Sequence, residues 1–331
     1  MPNYYYMNDF PLTVAKGGKE EQQQMICGYI RAKFTDVFDI HDKTAPKIET
    51  GDTLHCFGDT PLFYYFSEFL KGNGIYPKLI ISPSFYRKPA WIYRLMAFLP
   101  SWIPTWYTER KAMYKAFDRI IVNSEFEKIY LNRIFQLDNI EVIYNSFDAG
   151  TLRSVSTKSY AEEYCLCVSH VSERKNIFEL LSAAEAFYKK TNIKLIIAGG
   201  VRFHSEDNLI KFEFELSKKK GVEFIGYQDK QSLSDLYANC RFHILPSFIE
   251  TPGISNLEAC SYGKPIIVGD FPVLHEYFGD SAIYCGFRSS EILKAMTIAL
   301  TSTSPVEYDL SKFTTEVIAA KYSKVIDRLY D

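Results

Sequence analysis

The chain has 331 residues, enough for two domains at about 150 residues each. Apolar residues make up 47% and charged residues 24%, which excludes a mostly disordered chain. Its 38 Lys and Arg against 40 Asp and Glu leave a net charge of -2, which argues against a dedicated nucleic-acid binder.

The N-terminus has no basic region followed by an apolar stretch, so no signal peptide is expected. Short apolar runs at 53–57, 79–82, 119–122 and 141–144 predict strands. Segments near 19–33, 62–71, 109–116 and 125–135 predict the helices between them. The polar stretch 149–161, with Ser154, Ser156, Thr157, Lys158 and Ser159, predicts an interdomain linker. The pattern then restarts. A strand at 164–169 leads to a helix at 176–190, with Ile177, Leu180, Leu181, Ala184 and Phe187 on one face. Strands follow at 194–198, 222–225, 241–245, 265–268 and 282–285, with helices at 232–239, 254–262, 291–300 and 313–330. Such alternation implies parallel sheets covered on both faces. The expectation is α/β, with two Rossmann-like domains whose strand ends face across a cleft. Their spans are 1–150 and 160–310, and a closing helix at 311–331 packs back on the first.

Seven scattered cysteines read as reduced, buried thiols of a cytosolic protein. Cys165 and Cys167 share a strand face, but no second Cys/His pair follows at zinc spacing, so they read as core and no metal is expected.

The chemistry concentrates at 246–259, Pro-Ser-Phe-Ile-Glu-Thr-Pro-Gly-Ile-Ser-Asn-Leu-Glu-Ala. A buried strand ends at Leu245 and a helix starts near Ile254. Its unpaired N–H groups, from about Gly253, Ile254 and Ser255, suit a phosphate or a sugar hydroxyl. Glu250 and Glu258 place two carboxylates around that end. A single acidic residue near a helix N-terminus is favoured by the dipole anyway; two at this spacing around Pro-Gly are less easily set aside.

This segment resembles the Glu-x7-Glu motif of the retaining GT-B glycosyltransferases called group 1, with Glu250 and Glu258 at the two positions. Further matches come in order. They are Lys16-Gly17-Gly18-Lys19-Glu20 for the glycine-rich loop, Ile143-Tyr144-Asn145-Ser146-Phe147-Asp148 for the end of the first domain, and Val168 to Asn176 for the lysine-bearing loop. Ile196 to Gly200, Val222 to Tyr227 and Leu236-Tyr237 also fit. The resemblance is strong from about 164 to 286 and weaker before 140.

It implies a GT-B fold and a donor that is a nucleotide diphosphate sugar with UDP, GDP or dTDP, without other cofactor. Lys175 would bind the diphosphate, Glu258 the ribose and Glu250 the transferred sugar. The amides of Gly253 and Ile254, with Ser255, would hold phosphate or sugar, and Gly17 and Gly18 would let backbone approach the donor. The family's Gly-Arg is Ser169-His170 here. Either His170 takes the phosphate contact, or Arg174 reaches in, or the site is impaired. The family's sugar-contacting His has no counterpart in Ile81-Ser82-Pro83-Ser84-Phe85-Tyr86, and His55 reads as a buried, hydrogen-bonded histidine.

From 79 to 107 the chain carries Arg87, Lys88 and Arg94, no Asp or Glu, and all three tryptophans, Trp91, Trp102 and Trp106. Two readings stand: docking at a membrane interface, or core filling with a solvated basic face. Arg94, Pro100 and Pro104 spoil any spanning helix here. The leading expectation is an enzyme that transfers a sugar, with retention, to a glycan or lipid-linked acceptor in surface polysaccharide assembly. It would work in the cytoplasm or at the inner face of the membrane. Alternatives are an epimerase or phosphorylase on the same fold, and a non-catalytic donor-binding subunit. A nicotinamide dehydrogenase is disfavoured, since no Gly-x-Gly-x-x-Gly follows any strand.

Overall fold

A computed structural model describes residues 2–8, 18–83, 92, 96, 105–147, 162–203, 205–302 and 305–331. The chain divides into two compact units, one of Met1–Asn145 with Glu316–Asp331, the other of Ser146–Thr315. The linker at 149–161 lies outside the described residues.

The first unit runs β1 (Tyr4–Asn8), α1 (Gly18–Ile30), β2 (Val37–Asp39), β3 (Thr53–Phe57), α2 (Leu62–Gly72), β4 (Lys78–Ser82), α3 (Trp106–Ala116), β5 (Arg119–Val122), α4 (Glu125–Phe135) and β6 (Ile140–Val142). All pairings in its six-stranded sheet are parallel, in the order β2-β1-β3-β4-β5-β6. β1 and β2 were not among the predicted strands. Tyr4-Tyr5-Tyr6-Met7-Asn8 shows no polar alternation because β1 is an inner strand, covered on both faces. α3 begins three residues before the predicted start, because the Thr105 hydroxyl accepts the Thr108 N–H and caps it at Trp106.

Alternate strand residues feed two cores. Tyr5, Leu54, Cys56 and Ile81 pack with Phe63, Met113 and Tyr114 on one face. Tyr4, Phe57, Ile80 and Ile121 pack on the other face with Ile26 and Ile30 of α1 and with Ile318, Tyr322 and Val325 of the last helix. The chain's end therefore belongs to the first unit's core. On this face His55 is closed by two hydroxyls, Tyr4 Oη at 2.5 Å from Nδ1 and Ser82 Oγ at 2.7 Å from Nε2.

The second unit runs β7 (Tyr164–Val168), α5 (Ile177–Thr191), β8 (Lys194–Ala198), α6 (Glu206–Lys218), β9 (Val222–Gly226), α7 (Lys230–Asn239), β10 (His243–Leu245), α8 (Ile254–Ser261), β11 (Ile266–Gly269), α9 (Pro272–Phe278), β12 (Ile283–Cys285) and α10 (Ser289–Thr301). α11 (Thr315–Tyr330) closes the chain. The sheet is again parallel, ordered β12-β11-β10-β7-β8-β9. α6 and α9 are the helices absent from the sequence reading. α6 buries only Phe212, too narrow a stripe to announce itself, and α9 is short and opens on a proline. All seven cysteines are free, six of them buried, as expected of core thiols.

Strand order reverses between β7 and β10, which are neighbours, His243 pairing with Leu166, although Lys175 and Glu250 in the loops that follow them lie 75 residues apart. Ligands of open parallel sheets bind at the carboxyl ends of strands at such a point.

Candidate active site

Two loops leave the sheet at this reversal. The first follows β7. It is pinned by a parallel bridge between Val171 and Val201 and by the Val171 N–H on the Gly200 carbonyl at 2.8 Å. A Cβ on Gly199 would fall 2.0 Å from the Ser169 carbonyl oxygen, so only glycine lets the β8 turn close on this loop. The loop ends in a short 3-10 turn, Glu173–Lys175, and the left-handed Asn176 (φ 57°) starts α5.

The second loop follows β10 and carries Glu250. The Phe248 N–H donates to the Arg174 carbonyl at 3.0 Å, and Arg174 Nη1 donates to the Ile249 carbonyl at 2.9 Å. These bonds zip the loops together and set Lys175 Nζ directly on Glu250 Oε2. Both residues are more than 90% buried. Ser247 Oγ donates to the same carboxylate at 3.1 Å, and Arg174 Nη1 lies 3.8 Å from Oε1.

Burial pushes the Glu250 carboxyl up, but the Lys175 ammonium, Arg174 and the Ser247 hydroxyl outweigh it and hold the group below its usual value. Lys175 is itself pushed down, because burial and the neighbouring Arg174 outweigh what one carboxylate returns. Two cations thus share one anion, and the corner has room electrostatically for a further negative charge.

Gly253 (φ 78°) is the N-cap of α8, with no side chain capping it. A Cβ there would meet Glu250 Cγ at 3.1 Å and Leu245 Cδ2 at 3.1 Å, so glycine lets the turn close over the ion pair. The first N–H groups, including those of Ile254 and Ser255, have no acceptor inside the helix. Glu258, one turn on, accepts the Tyr237 hydroxyl on Oε2 at 2.7 Å. Burial, then Glu258 itself, keeps that phenol protonated, so it remains a donor.

The structure therefore joins Lys175, Arg174, Glu250 and Gly253 around the start of α8, and it gives Glu258 a separate partner on α7. Arg174 stands at the ion pair, whereas the His170 ring lies beside Gly200. Gly18 opens α1 in the first unit; Gly17 lies outside the described residues, as do Trp91, Arg94 and Trp102. Trp106 is half-buried against the first unit's core under the Arg110 guanidinium, 3.9 Å from its centroid. Sequence reasoning missed Ser247, and it met Tyr237 only as part of a strand-and-helix match. Among the described residues no three His, Cys, Asp or Glu side chains gather as for a metal, and no helix is long and apolar enough to cross a membrane.

Comparison with solved structures identifies the fold class as GT-B. Sucrose-phosphate synthase of Thermosynechococcus elongatus superposes with a TM-score of 0.77 over 100% of this chain and 99% of that one, at 14% identity. Anabaena Alr3699/HepE, solved in complex with UDP-glucose, gives 0.74 over 98% and 99%, also at 14% identity. Residues 149–302, the bulk of the second unit, match the family Glycosyl transferases group 1. The O-antigen chain mannosyltransferase B of Escherichia coli is 31% identical over 121 residues, which are 36% of this chain and 32% of that protein. The match thus spans about a third of that curated relative's length.

Proposed function

We propose that this chain is a retaining glycosyltransferase that moves a sugar from a nucleotide diphosphate sugar to a glycan or lipid-linked acceptor. The observation that carries the reading is the corner where Lys175 and Arg174 converge on Glu250 beside the uncapped start of α8. A buried ion pair is a poor way to stabilise a fold, since desolvation offsets most of its attraction. Placed at the strand-order reversal, it makes better sense as a prepared anion site.

As the bond from the anomeric carbon to the diphosphate breaks, its electron pair stays on the leaving phosphate oxygen. Lys175, Arg174 and the N–H groups of Ile254 and Ser255 meet that charge where it develops, and no metal is needed for it. One such donor is worth about 2.7–4 kcal/mol, or 10²–10³ in rate. Glu250, ionised and already held by Lys175, accepts sugar hydroxyls rather than attacking carbon. Glu258, fixed by Tyr237, accepts those of the ribose. The acceptor hydroxyl then attacks the face the diphosphate leaves and passes its proton to the departing phosphate, so configuration is retained. UDP-glucose in the Anabaena neighbour and the O-antigen activity named for the Escherichia coli relative support a nucleotide-sugar donor and surface polysaccharide assembly. The basic aromatic stretch before α3 supports work at the inner face of the membrane.

A melting screen of the full chain against UDP, GDP, dTDP and CMP tests the donor site, because a ligand of the native state raises the midpoint. One diphosphate should raise it, and NMR of the product with an added acceptor should show the donor's anomeric configuration. Absence of any shift, or an inverted product, rejects the proposal.

A further inference from the structure

Beneath the two loops lies a histidine in the apolar strand β10. His243 is flanked by Phe242, Ile244 and Leu245, and all four are fully buried. The Val168 N–H, at the end of β7, meets its Nε2 at 3.3 Å. A backbone N–H can only donate, so Nε2 carries the lone pair and the ring proton sits on Nδ1.

That Nδ1 and Asn256 Oδ1 are both shut off from solvent, and neither completes a hydrogen bond. One is a donor and the other an acceptor. Burial pushes this imidazole down to about 3, and the nearby Asn256 side chain opposes that shift. Asn256 builds the entrance to α8, since its Nδ2 donates to the Pro252 carbonyl at 2.8 Å and its N–H to that of Gly253 at 3.0 Å. The Tyr237 ring, whose hydroxyl holds Glu258, has its centroid 5.9 Å from the imidazole. The charge of Lys175 also reaches the ring.

We propose that His243 is the positioning residue of the site, a neutral imidazole protonated on Nδ1 that holds the end of β7 through the Val168 N–H and supports the first turn of α8 by packing under Asn256. Its consequence for the donor rests on the reading above, whereas its tautomer rests on geometry alone. The ring touches none of the reacting atoms. It sets the spacing between the lysine-bearing loop and the N–H groups of Ile254 and Ser255. A phenylalanine would fill the same volume and leave the Val168 N–H without its partner. A glutamine keeps one acceptor and one donor.

Two measurements test it. Long-range proton–nitrogen correlations on histidine-labelled full chain at pH 7 should show one neutral ring with the proton on Nδ1; the opposite tautomer or an imidazolium at His243 overturns the proposal. Then His243→Phe should weaken UDP, GDP or dTDP affinity and raise the donor KM by about tenfold, the equivalent of one lost buried hydrogen bond. Its kcat should move far less, and His243→Gln should recover most of the loss. A Phe variant with wild-type KM and affinity overturns the proposal. Should the Phe variant fail to fold, the tautomer and the Gln variant still decide. A wild-type chain that binds no nucleotide sinks the donor reading alone, because the tautomer is read without ligand.

Discussion

Among the described residues each unit buries one histidine and holds a largely buried ion pair, and the two sets differ in how far they are completed. In the first unit His55 has a hydroxyl on each nitrogen. Asp59 takes Arg110 Nε at 2.7 Å on one oxygen and the Tyr114 hydroxyl at 2.6 Å on the other, and a second Arg110 nitrogen reaches its carbonyl at 2.8 Å. Charges balance one to one. In the second unit His243 has one bond and one approach that stops short. Glu250 faces two cations. The first set resembles a finished scaffold. The second has unspent capacity, directed to the place where strand order reverses. Buried polar groups that are fully paired hold a fold, and those left partly paired suit a ligand.

Substitutions can break this contrast. Lys175→Ala should have the largest effect, removing any nucleotide-induced rise in melting point and lowering turnover by at least about 10²–10³. Arg110→Ala should cost about 3 kcal/mol in urea unfolding, since it strands a largely buried carboxylate, while the surviving folded protein keeps its nucleotide affinity. If the two variants behaved alike, the distinction between site and scaffold would fail.

Acid sharpens it next. Both buried imidazoles are pushed by burial down to about 3, from an ordinary 6.5. Between those values the unfolded chain binds protons that the folded chain refuses, so stability falls as pH falls. Each histidine contributes up to about 1.4 kcal/mol per pH unit in that window. His55→Phe should remove its own share of the slope, measured by unfolding at pH 4 to 7, without changing donor KM. The smallest effect is expected of Tyr237→Phe, which frees Glu258 from its donor and should cost about 1 kcal/mol of nucleotide affinity by calorimetry. A larger loss would mean that the phenol touches the nucleotide itself.

Much of the architecture was written in local pattern. The helix at Glu125–Phe135 and the strands at Thr53–Phe57 and Lys194–Ala198 fall where apolar periodicity places them, because period and turn chemistry are properties of neighbouring residues. The start of α8 and the spacing of Glu250 and Glu258 around it are local in the same sense. β1 escaped because a strand covered on both faces shows no alternation.

What no local pattern holds is partnership. Lys175 and Glu250 lie 75 residues apart and meet because β7 and β10 are neighbours in the sheet. Tyr237 finds Glu258, and Val168 finds His243, by the same packing. A single polar residue inside the otherwise apolar run Phe242 to Leu245 was the only sign of His243 in the sequence. Sequence determined which segments become strands and helices, through short-range sterics and hydrophobic period. Only the tertiary structure decided which charges share a low-dielectric corner, because burial and strand order are set by contacts far apart along the chain.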